Sequence, residues 1–336
     1  MIRRLRGAIT EDDHSGFGRP TRNTRPRTKD RPDYSKAEIA LVVTVDRGRF
    51  RCLIPGTINR EISATKARTL GRTGVIVGDR VRLVGDTSST EGTLARIVEV
   101  IPRETVLRRT ADDDDPYERP IVANADQLVI VTALADPPPR TGMIDRMLVA
   151  AYDARLEPVL CLTKQDLASP AALLAAYTPL NVPIVTIQPG SDLSALRELL
   201  ANRTSVLVGH SGVGKSTLVN ALIPGMDRAT GDVNEVTGRG RHTSSSAILL
   251  PLPEPGGWVI DTPGVRSFGL SHVTQESIVA AFPDFVDFAQ DCPRGCQHDS
   301  SAPECGFDAA VAAGKLAPER LDSFRRMGRA WATPHG

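Results

Sequence analysis

The sequence predicts an α/β multidomain chain: a small N-terminal β-barrel, a central parallel sheet wrapped in helices, and a short helical tail. Three observations carry that expectation. Apolar and polar residues alternate between 37 and 106, whereas beyond residue 120 near-continuous apolar runs alternate with helical patterns. The loop sequence "GHSGVGKS" falls between one such run and a helix, and "CPRGCQHDSSAPEC" gathers three cysteines and a histidine into fourteen residues.

The 336 residues suit two or three domains, and 40% hydrophobic against 24% charged residues is ordinary for a globular protein. A formal net charge of +1 provides no global attraction for nucleic acid, so any such contact must be local. The local asymmetry lies in residues 1–36, with ten Lys/Arg against five Asp/Glu and interspersed Pro and Gly. That composition cannot bury a core, so a disordered basic arm is expected, either as a solvated tail or as a contact to a phosphate backbone. There is no continuous apolar signal-peptide segment and no run of about 18 apolar residues, so a cytoplasmic chain with no membrane partner is expected. Cysteine usage agrees, because Cys52 and Cys161 stand alone in apolar segments and form no disulfide framework with the rest.

Residues 37–106 contain "IALVVTVDRGRFRCLI", "TGVIVGDRVRLVGD" and "EGTLARIVEVIP". Short alternating runs punctuated by Gly and Asp predict five strands closing into an OB-type barrel. Such a barrel serves either as a nucleic-acid groove or as a docking module. The segment 107–119, with "ADDDDP", reads as an exposed acidic linker. From 120 to 274 the runs "QLVIVTAL", "PVLCLT", "VPIVTI", "SVLVG" and "WVID" are separated in several places by helical patterns such as "MIDRMLVAAYDA", "DLSALRELLANR" and "KSTLVNALI". Strands apolar on both faces, alternating with helices, signal a parallel sheet covered on both sides.

Gly209, His210, Ser211, Gly212, Val213, Gly214, Lys215 and Ser216 carry the Gly-x4-Gly-Lys-Ser spacing at a strand-to-helix junction, with Thr217 next. Glycines there allow inward-facing N–H groups at a helix N-terminus, where phosphate binds. Lys215 would reach the β- and γ-phosphates and the Ser216 hydroxyl would ligate Mg2+. "DTPG" ends a later apolar run. Asp261 would hold Mg2+ through water, and the Gly264 amide would sense the γ-phosphate, which makes a switch with the "VRSFGL" beyond it. The loop between them, "PGMDRATGDVNEVTGRGRHTSSS", would be the other switch, with Thr243, or more weakly Ser244, completing the Mg2+ shell.

Base selection falls to "TKQD". Following a buried run, Asp166 can accept from the guanine N1–H and N2–H2 groups, which adenine does not match. Lys164 would lay its stem over the base, and Thr163 opens the motif. Yet these residues precede the phosphate loop by some forty positions. A parallel sheet tolerates that inversion, because both elements need only share the carboxyl edge, and termini that lie close together allow a permuted order.

Cys292, Cys296, His298 and Cys305 supply four ligands suited to tetrahedral Zn2+. A full Cys3His shell predicts one structural ion stapling a small helical domain, residues 275–336. "LAPERLDSFRRMGRA" reads as a basic amphipathic helix, either facing RNA or simply solvated.

In this order of motifs the chain resembles the circularly permuted GTPases. With the flanking barrel and Cys/His tail it resembles the RsgA family, GTPases dependent on the small ribosomal subunit, over roughly residues 38–330. The resemblance implies a central circularly permuted P-loop GTPase domain between an OB-type β-barrel and a zinc-binding helical domain. It also implies GTP/GDP as ligand and the small ribosomal subunit, late in assembly, as partner, its rRNA gripped by the barrel and the zinc domain; the chain is expected to be a monomer. With the Gly264 switch directly before the tail, loss of the γ-phosphate could reposition the zinc domain.

Val265 stands where Ras-like GTPases place the glutamine that orients water, so slow intrinsic hydrolysis is expected, accelerated when the ribosome orders the switches. His242 is the residue expected to position water; Arg239 and Arg241 lie nearby, and no arginine finger is assigned. The family pattern is also departed from at "TIQPGS", where a Ser-Ala-type guanine loop is expected. Two rival readings share these residues. A P-loop ATPase would not need Asp166, and an RNA-binding protein that keeps GTP as an unhydrolysed ligand would lack only turnover.

Overall fold

The computed structural model describes residues 33–56, 59–71, 74–90, 92–109, 119–225, 247–262, 270 and 273–332. Strands β1 (Glu38–Asp46), β2 (Arg49–Ile54), β3 (Arg60–Lys66), β4 (Arg80–Gly85) and β5 (Ala95–Val100) close into a barrel, ordered β1-β2-β3-β5-β4 with β4 returning to β1. The period-two pattern decides which side chains enter. Val42, Phe50, Cys52, Ile62, Ala64, Val81, Leu83 and Ile97 fill the interior, while Arg51 pairs with Glu61 and Arg82 with Glu99 outside. The β3–β5 pairing is parallel and the others are antiparallel. This is the OB-type closure that the alternation predicts.

Residues 75–79 pin the barrel to the strand pair that leads into the second sheet. Asp79 is fully buried and accepts from Arg103 at 2.6 and 2.8 Å and from the Ile76 amide at 2.8 Å, so its charge is paired and its oxygens are used. Gly78, at φ +86°, passes so close to Ala123 that a Cβ would lie 2.0 Å from the Ala123 carbonyl oxygen. The Asn124 side-chain Nδ2 donates to Gly78 O at 2.8 Å across this contact. Only glycine permits that approach. Strands β6 (Val106–Arg109) and β7 (Arg119–Ala123) pair antiparallel, with Ala123 at the end of β7. The segment read as a linker therefore has strands at its flanks, and residues 110–118 lie outside the described residues.

The second sheet holds β8 (Gln127–Ala133), β9 (Glu157–Thr163), β10 (Ile184–Thr186), β11 (Thr204–Val208), β12 (Ile248–Pro251) and β13 (Trp258–Asp261). Its spatial order is β10-β9-β8-β11-β13-β12, all parallel except β12. Every residue of β8 is buried, and successive residues serve opposite faces. Leu128 and Ile130 join the core beneath α1 (Thr141–Asp153) and α2 (Ala171–Tyr177), whereas Val129 and Val131 join the core beneath α3 (Ser194–Leu200) and α4 (Lys215–Leu222). The chain runs outward from β8 to β10, then crosses β8 to continue at β11. That crossing is the topological switch point. A bulge between Val42 and Thr44 turns the end of β1 toward β12, where Thr44 pairs with Ile248.

The tail packs on the α1 side of the sheet. Helices α5 (Gln275–Val279), α6 (Pro283–Ala289), α7 (Gly306–Ala312) and α8 (Pro318–Ala332) surround Phe282, Phe285, Phe307 and Phe324. Phe285 stacks on Phe324 with centroids 4.4 Å apart. Arg320 of α8 holds Asp284 of α6 at 2.7 and 2.9 Å, and this hydrogen bonding keeps the Asp284 carboxyl below the ordinary carboxylate range. The ionised form thus favours folding above the ordinary carboxylate pKa of about 4, and the contribution is lost as pH falls through the depressed native value. Asp284→Asn is expected to lower the melting temperature by about 2 °C at neutral pH, with the gap to the parent closing below about pH 4. Thermal unfolding followed across that range checks it.

Candidate functional site

Strands β9, β8 and β11 are adjacent and parallel, so the segments after Thr163, Ala133 and Val208 leave the sheet side by side at one edge. The carboxyl edge beside a switch point is where open α/β sheets hold ligands. The segment after β11 is the glycine loop. Gly209, at φ +150°, runs so close to β8 that a Cβ would sit 2.1 Å from the Val131 carbonyl oxygen. Gly214 takes φ +92° and caps α4, which starts at Lys215. Lys215 Nζ donates to the Gly209 and His210 carbonyl oxygens, the latter at 3.0 Å, so the ammonium folds back over its own loop. Val213 is buried, Ser216 is half-buried, and Ser211, Gly212 and Thr217 are exposed.

The segment after β9 meets this loop directly. The Thr163 hydroxyl, buried, donates to Val213 O at 2.7 Å, with Thr132 O at 3.3 Å. Lys164, at φ +60°, donates through Nζ to the Asp136 carbonyl oxygen, and the Gln165 amide donates to Ile187 O at 3.2 Å. Asp166 comes next, at an exposed position. The "TIQPGS" segment sits beside it, closed by Ser191, whose hydroxyl accepts from the Gln188 amide at 2.9 Å. On the other flank of β11, buried Asp261 lies level with Leu207, and the Thr262 hydroxyl donates to Leu207 O at 2.7 Å. The structure thus brings residues 163–166, 209–217 and 261 to one edge. His242, Thr243 and Gly264 lie outside the described residues, as do Arg239, Arg241, Ser244 and Val265.

The tail carries a second constellation. One ligand atom from each of Cys292, Cys296, His298 and Cys305 lies within 4.8 Å of the others, a spacing that suits tetrahedral metal–thiolate geometry. His298 Nδ1 is 3.4 Å from Cys292 Sγ and 3.7 Å from Cys305 Sγ. The Gly306 amide donates to Cys292 Sγ at 3.1 Å, and the His298 ring stacks on Phe307 at 4.2 Å. Those outer contacts fix the orientation of the donors. Burial pushes the Cys305 thiol up to about 11 and Cys292 upward as well. Three thiols and an imidazole so placed fit a structural cation, with no position left for substrate.

Residues 100–271 match the family model described as RsgA GTPase. The chain belongs to the RsgA GTPase family. Membership makes it a GTP hydrolase and implies guanine nucleotide and Mg2+ as its ligands. Among curated relatives, the small ribosomal subunit biogenesis GTPase RsgA of Chlorobaculum tepidum is 36% identical over 84% of this chain and 92% of its own. The protein of the same name from Pseudomonas aeruginosa is 41% identical over 69% of each chain. Among solved structures, YjeQ from Thermotoga maritima superposes with a TM-score of 0.65 at 28% identity, covering 88% of this chain and 98% of that one. YloQ, described as a circularly permuted GTPase, shares the fold with a TM-score of 0.63 at 24% identity, covering 87% and 94%.

In this RsgA GTPase the segment after β8 belongs to the same edge, although no motif marks it. Asp136 receives Lys164, and the Pro137 ring lies 3.5 Å from where a Gly212 side chain would begin. The signal was present as "ADPPPR", a stiff proline run leaving a fully buried strand. It forms the wall between the two loops that the motifs mark.

Proposed function

We propose that this chain hydrolyses GTP while acting in the late assembly of the small ribosomal subunit, with turnover stimulated by that subunit. The observation that carries the reading is the Thr163-to-Val213 hydrogen bond, which joins the base-reading and phosphate-binding loops in spite of their inverted order. Residues 209–217 cradle the phosphates, Lys215 neutralises charge on them, and Asp166 selects guanine. Ser216, Asp261 and Thr243 serve Mg2+, Gly264 senses the γ-phosphate, and His242 positions water. Cys292, Cys296, His298 and Cys305 hold one structural Zn2+. That ion crosslinks the tail, and no step of hydrolysis runs through it.

The small-subunit role is supported by the names of the relatives and by the outer face of the barrel. Arg49 pairs in register with Thr65, and Thr65 with Arg96, so two exposed arginines flank one threonine across β2, β3 and β5. Strands 2 and 3 form the ligand groove of OB folds. Only 4% of the chain is aromatic, so phosphate neutralisation outweighs base stacking in the RNA contact. The chain works as a cytoplasmic monomer, and no helix among the described residues is long and apolar enough to cross a membrane.

GTP and ATP hydrolysis measured alone and with small subunits, large subunits or bulk RNA tests this reading. Stimulation of GTP turnover by small subunits alone supports it. Equal ATP turnover, or indifference to every ribosomal particle, contradicts it.

A further inference from the structure

Asp145 is a carboxylate only 1% exposed in the second turn of α1. A charge so buried is costly unless paired, and its partner comes from the far end of the chain. Arg326 of α8 donates to Asp145 at 3.0 Å through Nε and 3.2 Å through Nη2. The same guanidinium donates to the Ala176 carbonyl oxygen at 3.2 Å and lies over the Tyr177 ring, 4.6 Å from its centroid. Ser323, one turn earlier, also donates to Ala176 O, at 3.1 Å. The Tyr177 hydroxyl closes the group by donating to Thr141 O at 3.2 Å. One arginine therefore ties the end of α2 to the first turns of α1.

What makes this joint informative is where the two helices begin. Helix α1 continues the segment 134–140, in which Asp136 receives Lys164 and Pro137 abuts Gly212. Helix α2 continues the segment after β9, which carries Lys164 and Asp166. The two loops that flank the nucleotide edge are thus each extended by a helix, and the helices are clamped together by a residue of the zinc-binding tail.

We propose that Arg326, acting through Asp145 and Ala176, is a positioning residue for guanine-nucleotide binding. It holds α1 and α2 at the spacing that sets Lys164 and Asp166 against the phosphate loop. The coupling is reciprocal, so bound nucleotide tightens the packing of α8. A partner that moves the tail thereby changes nucleotide affinity without touching the site. This inference rests on the reading of residues 163–166 and 209–217 as the nucleotide site.

The test uses the full chain with its metal. Arg326→Lys keeps the charge but loses the planar fork whose fixed N–H groups reach both Asp145 oxygens and the Ala176 carbonyl. The Kd for a fluorescent GDP analogue is expected to rise about five- to thirty-fold, with zinc content and far-ultraviolet circular dichroism unchanged. A Kd within about twofold of the parent, at a sensitivity that resolves a fivefold change, overturns the proposal. Backbone hydrogen exchange of the parent protein, with and without GDP, gives an answer independent of any variant. Slower exchange across residues 318–329 on adding GDP supports the coupling, and unchanged exchange there overturns it. Loss of the underlying site reading has its own signature, which is parent-level GDP binding by Asp166→Ala.

Discussion

Lys215→Ala is expected to cut GTP turnover by about a hundred- to a thousand-fold while leaving the fold intact. The ammonium already folds over the loop at the head of α4, hydrogen-bonded to Gly209 and His210 carbonyl oxygens. Phosphoryl transfer involves little covalent chemistry for the protein to perform, so positioning and charge neutralisation supply most of the rate. Removing the one cation in residues 209–217 leaves the backbone N–H groups to face the triphosphate alone. Alanine is the best helix former, and the α4 side chains that bear on the core are Leu218, Val219 and Leu222, so little stability should change. Steady-state kcat/KM beside a circular dichroism spectrum checks both halves. A loss below about tenfold would remove Lys215 from the role given to it.

Removal of the cation proposed for the tail is expected to have the second-largest effect, unfolding residues 275–312 without dissolving the sheet. Helices α5, α6 and α7 have only five, seven and seven residues, well under the length at which isolated helices persist. The segment between α6 and α7 has no regular structure, and it places His298 and Glu304 at φ +53°, a conformation that side-chain-bearing residues seldom hold unaided. Four ligands replace the missing local order, and structural zinc sites contribute on the order of 10 kcal/mol to the folding of small units. Chelation, or Cys296→Ser, should release the metal and lower the first thermal transition by on the order of 10 °C. The circular dichroism of the parallel sheet should persist to a second transition. Metal analysis before and after chelation, coupled to the melts, measures it.

Much of the architecture could be read from periodicity. Alternation from Ile39 onward specified a barrel because a closed small sheet buries one side chain in two, and Val129 beside Ile130 specified a sheet buried on both faces for the same reason. The Thr163-to-Val213 bond was not visible, since a hydroxyl shows its chemistry in sequence but not its acceptor fifty residues on. Strand β12 was missed because four residues ending in proline carry too little pattern. The arginines of α8 mislead in a different way. Their spacing reads as a basic face, yet Arg320, Arg325 and Arg326 each turn to a carboxylate of the same chain, Asp284, Asp308 and Asp145. Periodicity reports which face of a helix is apolar. It is silent on whether the rim of that face finds RNA or a carboxylate of its own chain.

The most direct test of the permuted site is the base preference of Asp166→Asn, measured as Kd for guanosine and xanthosine nucleotides. An aspartate accepts from both guanine donors, whereas an asparagine carboxamide presents a donor that matches the xanthine C2 carbonyl and opposes the guanine amino group. A base reader placed upstream of its phosphate loop predicts weaker GDP binding by at least about a hundredfold and a preference turned toward xanthosine diphosphate. Unchanged guanine affinity in that variant would show that residues 163–166 do not read the base.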